Sequence, residues 1–300
     1  MRLRIQEVHD RVRWIDSIPT IPTIIRPLLE MLAAPVEDVT IRSVERLVAA
    51  DPSIAAQCLK MANSPLYGVR RIESIGSALT ILGLRRIQSI LLTCSLNKVV
   101  AKGRWGVDPD AFWRHSLGCA LVTRKMAELI GYQDLEQAYL SGLLHDLGMI
   151  VSSIVCADEF CSAVRLATSR RVPLHVTEQE EMGFTHCEGG AILAKQWRLT
   201  REVTESIEAH HLLDPQRPLS PLVCMVHVSD LLCRLRDLGY GYAESLSVDF
   251  ALEPSWIFLT RNYPILDSID LARFTFDTDE WMHDVHHVVD AVFSRGAEVH

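Results

Sequence analysis

The feature that most constrains this fold is a set of ionisable residues placed in apolar, helix-like surroundings. The set comprises five histidines and two aspartates: His115, His145, Asp146, His186, His210, His211 and Asp230. Each lies where a predicted helix should present its apolar face, and ionisable groups are costly to bury unless they are paired or bound to a metal. Because these residues come from five separate predicted helices, the sequence predicts one shared polar site that the fold must assemble.

The periodicity of the apolar residues indicates an all-α fold class. They recur mainly at three- and four-residue spacing, whereas alternating strand patterns are scarce. We predict an N-terminal helical bundle over residues 1–104, packed on a second helical half over 105–240 that carries the His/Asp set. A helical extension is expected over 241–300, and AKGRWGVD (101–108) is the predicted connector between the two halves.

The run LEQAYLSGLLHDLGMIVSSIV, residues 135–155, is predicted to form one helix. Adjacent histidine and aspartate side chains leave a helix in different directions, so they can serve one site only where a helix end projects into a cleft. Gly148 is consistent with a kink or an end close to His145 and Asp146.

Composition limits the class of protein. A net charge of −8 and a pI near 5.8 argue against a broad nucleic-acid-binding surface. Eight cysteines without a CxxC motif are expected to be reduced, buried thiols, and none is assigned to the His/Asp set, so a structural zinc finger is not predicted. The charged N-terminus lacks a signal-type apolar stretch, and no uncharged apolar run reaches about 18 residues. We expect a cytoplasmic protein with neither membrane nor nucleic acid as a partner.

The chemistry of the set suits a metal. Imidazole and carboxylate ligands bind iron, zinc, nickel and manganese, and a carboxylate can bridge two ions, so one or two divalent ions are the expected cofactor. For any single histidine, a hydrogen-bonded core residue is the alternative, and for His210 and His211 the alternative is a solvated helix end. His227 either supports Asp230 or belongs to the core. Three further histidines are expected on a partly solvated helix face: His283, His286 and His287.

The order His…His-Asp…His…His-His…Asp resembles the HD superfamily of metal-dependent phosphohydrolases. The segments IPTIPTI, VAADPSIAAQCLKMANSPLYG and SIGSALTILGLRRIQSILL look like the N-terminal half of the HDOD domain, the HD-related output domain of bacterial signalling. FWRHSLGCALVTRKMAELIG, YLSGLLHDLGMIV, HCEGGAILAKQW and EAHH continue the likeness from about Ile15 to Leu235. The resemblance implies an all-helical bacterial protein with a regulatory role.

The resemblance also implies how metals would be held. The residues it assigns to a first metal are His115, His145, Asp146 and Asp230. Those it assigns to a second metal, with Asp146 as the bridge, are His186, His210 and His211. A hydroxide between the two ions would be the nucleophile toward a phosphoester, which would make Asp146 the catalytic bridging residue.

Two departures separate this chain from the catalytic HD-GYP branch, which cleaves cyclic di-GMP. That branch continues its HD pair with Gly-Lys, where this chain has Gly148 and Met149, so a lysine able to neutralise phosphate charge is missing. The segment HHLLDPQRP also lacks the GYP signature. HDOD domains, by resemblance, are non-catalytic signalling modules.

Three functions therefore stay open. The first is a regulatory output module that binds metal, or a nucleotide or cyclic dinucleotide, and transmits a conformational signal to signalling proteins. The second is a metal-dependent phosphohydrolase, a phosphodiesterase or a nucleotidase. The third is a protein-interaction scaffold without metal, which would use the N-terminal bundle or residues 241–300 as its contact surface.

Overall fold

The computed structural model describes residues 5–12, 24–34, 36–49, 51–64, 67, 71–96, 105–211, 219–240, 248–267 and 271–293. Within these ranges all regular elements are helices, which confirms the predicted all-α class. The helices that precede residue 100 are α1 (Ile5–Val12), α2 (Ile25–Ala33), α3 (Ile41–Ala49), α4 (Pro52–Ala62), α5 (Ile75–Leu82) and α6 (Leu84–Leu96). Between α2 and α3 lies a short 3-10 turn, Val36–Asp38.

The following helices build the half of the molecule that carries the His/Asp set. They are α7 (Pro109–Ile130), α8 (Leu135–Leu144), α9 (Leu147–Val155), α10 (Ala157–Arg170), α11 (Leu174–Glu181), α12 (His186–Gln196), α13 (Arg201–Ala209) and α14 (Pro221–Leu235). After them come α15 (Pro254–Asn262), α16 (Pro264–Asp267) and α17 (Leu271–Phe293).

Helix α7 is the central element of the site-bearing half. The Asp108 side chain caps it by accepting from the Asp110 backbone N–H at 3.0 Å, and a first-turn proline follows. The helix ends at Gly131, whose φ of 70° is left-handed and suits glycine. It packs against α8, α14 and α17, so its middle residues are enclosed.

The predicted single helix over 135–155 is wrong in one place. Helix α8 ends at Leu144, and a two-residue turn separates it from α9. Gly148 marks a close helix contact: a Cβ there would lie 1.7 Å from the His186 carbonyl oxygen. The break lets α9 approach α12 directly, which a continued α8 would not allow. By length and composition Leu135–Val155 could span a membrane, yet 89% of its apolar window is buried inside the fold.

The N-terminal helices pack on the site-bearing half. Helix α6 contacts α2, α4 and α8, while α4 also contacts α17. Residues 101–104 of the predicted connector lie outside the described residues, and the predicted domain boundaries near 104 and 240 stay predictions.

Candidate metal centre

The structure brings the seven predicted site residues to one place. His115 lies in the middle of α7 and Asp230 in α14, which agrees with the expectation of an apolar helix face. His145 and Asp146 lie in the α8–α9 turn, in agreement with the helix end or kink expected there. His186 is the first residue of α12, and His210 and His211 directly follow α13, so the expectation of a mid-helix apolar face is wrong for these three. Six of the seven are at most 2% exposed, and His211 is partly buried.

Asp146 is the common neighbour of the histidines. Its Oδ2 lies 3.0 Å from His145 Nε2 and 3.7 Å from His115 Nε2. Its Oδ1 lies 3.4 Å from His186 Nε2 and 3.5 Å from His210 Nε2. One carboxylate therefore faces two pairs of imidazoles with its two oxygens, which is the arrangement a bridging ligand requires.

The ligand-capable atoms form two groups. The first group consists of His115, Cys119, His145 and Asp230, and the second group consists of Asp146, His186, His210 and His211. Within each group these atoms all lie within 4.8 Å of one another. Cys119, which the sequence does not assign to the set, lies beside it, with its Sγ 3.4 Å from His115 Nε2.

Four histidines share one orientation. Each donates a hydrogen bond from Nδ1 to a fixed acceptor: His115 to Leu238 O at 2.5 Å, His145 to Gly142 O at 2.8 Å, His186 to Glu178 Oε2 at 2.6 Å, and His210 to Ile207 O at 3.0 Å. In the neutral imidazole, Nδ1 then carries the proton and Nε2 presents a lone pair toward the centre, as in metal-ligating histidines.

These lone pairs and carboxylate oxygens need a positive charge between them. The Nε2 atoms of His115 and His145 are 3.3 Å apart, and those of His186 and His210 are 3.4 Å apart. Two buried carboxylate oxygens, Oδ1 of Asp146 and Oδ1 of Asp230, have no hydrogen-bond partner in the described part of the chain. A divalent cation in each group would satisfy these atoms, so the donor set fits iron, zinc, nickel or manganese.

The pKa shifts of the buried aspartate and histidines also indicate that positive charge is favourable in the centre. Burial alone would raise the pKa of Asp146, but His145, His210 and His186 outweigh it and hold that pKa well below its usual value. Burial would lower the pKa of His210, yet Cys187 and Asp146 raise it to about 10. For His145, burial prevails and lowers the pKa. Without metal, the centre thus holds protons on its second group, which a cation would displace.

Three neighbours of the centre were not found from the sequence. The Tyr240 hydroxyl donates to Asp146 Oδ2, and its ring lies 4.3 Å from that of His115. Arg234 donates to Asp230 Oδ2 at 2.6 Å, a contact that the four-residue helical spacing could have indicated. Glu178 accepts hydrogen bonds from both the backbone N–H and Nδ1 of His186. No local sequence pattern indicates this contact, because α11 and α12 come together only in the folded protein.

The remaining histidines lie next to the centre or on helix α17. His227 donates from Nδ1 to the His210 carbonyl at 2.6 Å, so it supports the centre from outside. His175 stacks on His211, with ring centroids 4.8 Å apart. As predicted, the α17 histidines form a partly solvated face: His283 and His287 are exposed, and His286 is half-buried.

The fold and the centre define the class: an all-helical protein with buried histidines and carboxylates that could hold a metal ion. The HDOD domain model matches residues 18–213, well over half of the chain. The chain belongs to the HDOD family. Asp230 and Tyr240 lie beyond the matched range, on α14 and just after it.

A relative with a similar sequence points to no specific activity. An uncharacterised protein of Treponema pallidum is 27% identical over 227 residues, which cover 74% of this chain and 43% of that protein. The chain therefore spans less than half the length of this relative.

Solved structures extend the likeness beyond the matched domain. An HDOD domain protein of unknown function from Geobacter sulfurreducens is 29% identical, with a TM-score of 0.80 and coverage of 97% of this chain and 98% of that one. A candidate phosphohydrolase from Shewanella amazonensis has a TM-score of 0.71 at 20% identity, covering 95% and 98%. A candidate signal transduction protein from Marinobacter aquaeolei has a TM-score of 0.69 at 20% identity, covering 97% and 61%. The last two likenesses show the fold alone.

Proposed function

We propose that this chain is a cytoplasmic regulatory output module whose His/Asp centre binds one or two divalent metal ions and controls a signalling interaction. The residues that would hold metal are the seven predicted from the sequence. A metal would supply a fixed positive charge that orders these side chains, and its occupancy would be the regulated variable. Signalling proteins are the proposed partners, and a nucleotide or cyclic dinucleotide is the proposed class of small ligand.

The observation that carries this proposal is the closed state of the centre. The Tyr240 hydroxyl donates to Asp146, Arg234 donates to Asp230, and the Leu238 carbonyl accepts from His115. A hydrolase needs its metals and a substrate phosphate in contact. Here the ligand atoms are covered by protein, and Met149, where the catalytic branch has lysine, is itself buried.

The covering segment offers a route for a signal. Residues 236–240 follow α14, and two of them contact the centre directly, through the Leu238 carbonyl and the Tyr240 hydroxyl. The Arg236 carbonyl accepts a hydrogen bond from His286 of α17 at 2.8 Å. A metal and the Tyr240 hydroxyl would compete for Asp146 Oδ2, so metal occupancy would bias the position of this segment and its contact with α17.

The test combines metal content, turnover and motion on the full chain. Elemental analysis should find metal in the anaerobically purified wild type and none in Asp146→Ala, while the surface control Asp284→Ala keeps it. A panel of phosphomonoesters, phosphodiesters and cyclic dinucleotides should show no protein-dependent hydrolysis. Hydrogen exchange of residues 236–240 should change when the metal is removed. Absence of metal from the wild type after anaerobic metal supplementation would refute the proposed centre.

A metal-dependent phosphohydrolase is the second candidate, and one observation favours it. Asp146 faces both pairs of histidines with separate oxygens, the arrangement of a two-metal centre that activates water. Turnover of any panel substrate that disappears in Asp146→Ala and persists in Asp284→Ala would favour this activity over the regulatory role.

A further inference from the structure

His211 is held differently from the other four histidines of the centre. Those four are buried, and each donates a hydrogen bond from Nδ1 to an oxygen acceptor: His115, His145, His186 and His210. His211 is half-buried and directly follows α13. In the described part of the chain it meets its neighbours ring against ring. The orientation of its imidazole therefore depends on how those rings pack.

The ring of His175 lies almost flat against that of His211. The two ring centroids are 4.8 Å apart, and the angle between the ring planes is 26°. Flat rings that stack in this offset way prefer centroid distances of about 4.5–7 Å. The other two neighbours meet His211 at steeper angles: His210 at 4.2 Å and 48°, and His186 edge-on at 5.1 Å and 90°. Of the three rings, only that of His175 is stacked, and His175 is not one of the seven site residues.

The buried nitrogen of His175 does not explain why a histidine ring lies at this position. His175 is the second residue of α11 and is half-buried. Its Nδ1 is buried and has no hydrogen-bond partner in the described part of the chain. A hydrogen bond from this nitrogen therefore does not set the position of the ring, and the stack on His211 is the contact that joins His175 to the centre.

Helix α11 supports the second group at two points. Glu178 follows His175 by three residues, so the two side chains lie on the same face of α11. Glu178 Oε2 accepts a hydrogen bond from His186 Nδ1 at 2.6 Å, which fixes the ring of that ligand. One helix thus holds two histidines of the second group, His186 by a hydrogen bond and His211 by a ring stack.

We infer that His175 is a positioning residue that orients His211 as a metal ligand of the second group by stacking on its imidazole ring. This inference rests on the proposed metal-binding function. The stack opposes rotation of the His211 ring, whose ligand-capable nitrogen lies within 4.8 Å of the ligand atoms of Asp146, His186 and His210. What His175 supplies is the face of a flat ring, and its own nitrogen atoms are dispensable for this role.

Three substitutions in the full-length protein separate the ring of His175 from its nitrogen atoms. His175→Ala removes the ring, His175→Asn keeps a polar side chain without a ring, and His175→Phe keeps a flat ring without nitrogen. His283→Ala, at an exposed histidine of α17, is the control. Zinc affinities are measured by chelator competition. The ring nitrogens of His211 are followed by ¹⁵N NMR in histidine-labelled, zinc-loaded protein, with their signals assigned from a His211→Asn sample.

We expect His175→Ala and His175→Asn to lose zinc affinity about 2- to 10-fold at one site, the range to which aromatic stacking energies correspond. His175→Phe and His283→Ala should keep the wild-type affinity. The weakened site should be the one that Glu178→Gln also weakens, and the His211 signals should move away from their zinc-bound positions in the same two His175 variants.

Several outcomes would overturn the inference and leave the metal-binding proposal standing. They are an unchanged zinc affinity in His175→Ala, equal losses at two sites, and a loss in His175→Phe with wild-type affinity in His175→Asn. Failure of the wild type to bind zinc, or any other divalent metal, would overturn both the inference and the metal-binding proposal.

Discussion

The two ligand groups of the centre are built in different ways. In the first group, His115, Cys119 and Asp230 come from helix interiors, where backbone hydrogen bonds on both sides hold each residue, and only His145 lies in a turn. In the second group, every member lies at a helix end or in a turn. Residues at helix ends have fewer backbone restraints, so their positions depend on neighbouring segments.

Those neighbouring segments are visible around the second group. Helix α12 begins with a capping box in which Thr185 accepts from the Glu188 backbone N–H and the Glu188 side chain accepts in return. Glu178 then fixes His186 from α11. The comparison shows that the first group depends mainly on helix geometry, whereas the second depends on tertiary contacts that single substitutions can remove.

Replacing Gly148 by alanine should have the largest effect, because it disturbs the contact on which the second group depends. The added Cβ would lie 1.7 Å from the rigid His186 carbonyl oxygen, so α9 and α12 must move apart. We expect a loss of about 3 kcal/mol or more in the free energy of unfolding, measured by urea denaturation. Gly76→Ala is the control, since the nearest neighbouring atom, Glu45 Oε1, is 3.6 Å from its Cβ position. Equal stability of the two variants would show that the close contact is not required.

Replacing Glu178 by glutamine should weaken the second group selectively. The carboxylate that orients His186 would lose its charge, and loss of such a supporting partner typically lowers metal affinity about 10–100-fold. Chelator competition should reveal one weakened and one unchanged site. Glu180→Gln, on the exposed side of the same helix, should leave both affinities unchanged. A uniform loss at both sites would contradict the proposed division.

The proton held by His210 should make the metal-free protein sensitive to alkali. Because its pKa is raised from 6.5 to about 10, its stabilising contribution is complete below pH 6.5 and disappears as the pH rises toward 10. Thermal unfolding without metal should show this contribution as the difference between wild type and His210→Asn; Cys187, whose pKa burial would raise but His210 and His186 lower to about 6, contributes in the opposite direction between about pH 6 and 9.

Bound metal should flatten this profile, because His210 is then neutral at every pH in the window. His210→Asn should remove the slope in the metal-free protein, and the exposed control His283→Asn should keep it. A metal-free profile that rises toward pH 10 would contradict the assignment of the proton.

The smallest effect is expected from Glu253, which pairs with His227 at 3.1 Å behind the second group. The hydrogen bond from His227 lowers the pKa of Glu253 below 4.5, so the pair stabilises the fold above that pH and the contribution is lost as acid protonates Glu253. At neutral pH, the free energy of unfolding of Glu253→Gln should differ from that of wild type by less than about 1 kcal/mol, and acid denaturation should remove the difference. The exposed control Glu280→Gln should have the wild-type free energy of unfolding. A larger loss in this control than in Glu253→Gln would contradict a specific contribution from the His227–Glu253 pair.

Periodicity and caps determined the helices. The Asp108 cap, the stop at Gly131 and the all-α class were predictable because these signals are local and read within one turn. The seven site residues were selected because charged groups in apolar helical stretches require a common explanation. The sequence indicated a kink or an end near Gly148, but the apolar pattern continues through it, so two separate helices with a turn between Leu144 and Leu147 were not predicted.

What the sequence by itself determined is the helical class and the identity of the histidines and aspartates that meet. Only the tertiary structure decided that Cys119 joins the first group, that Glu178 orients His186, and that Tyr240 covers Asp146. The physical reason is distance along the chain: 94 residues separate Tyr240 from Asp146, and their contact exists only after α14 has packed on α7 and α8.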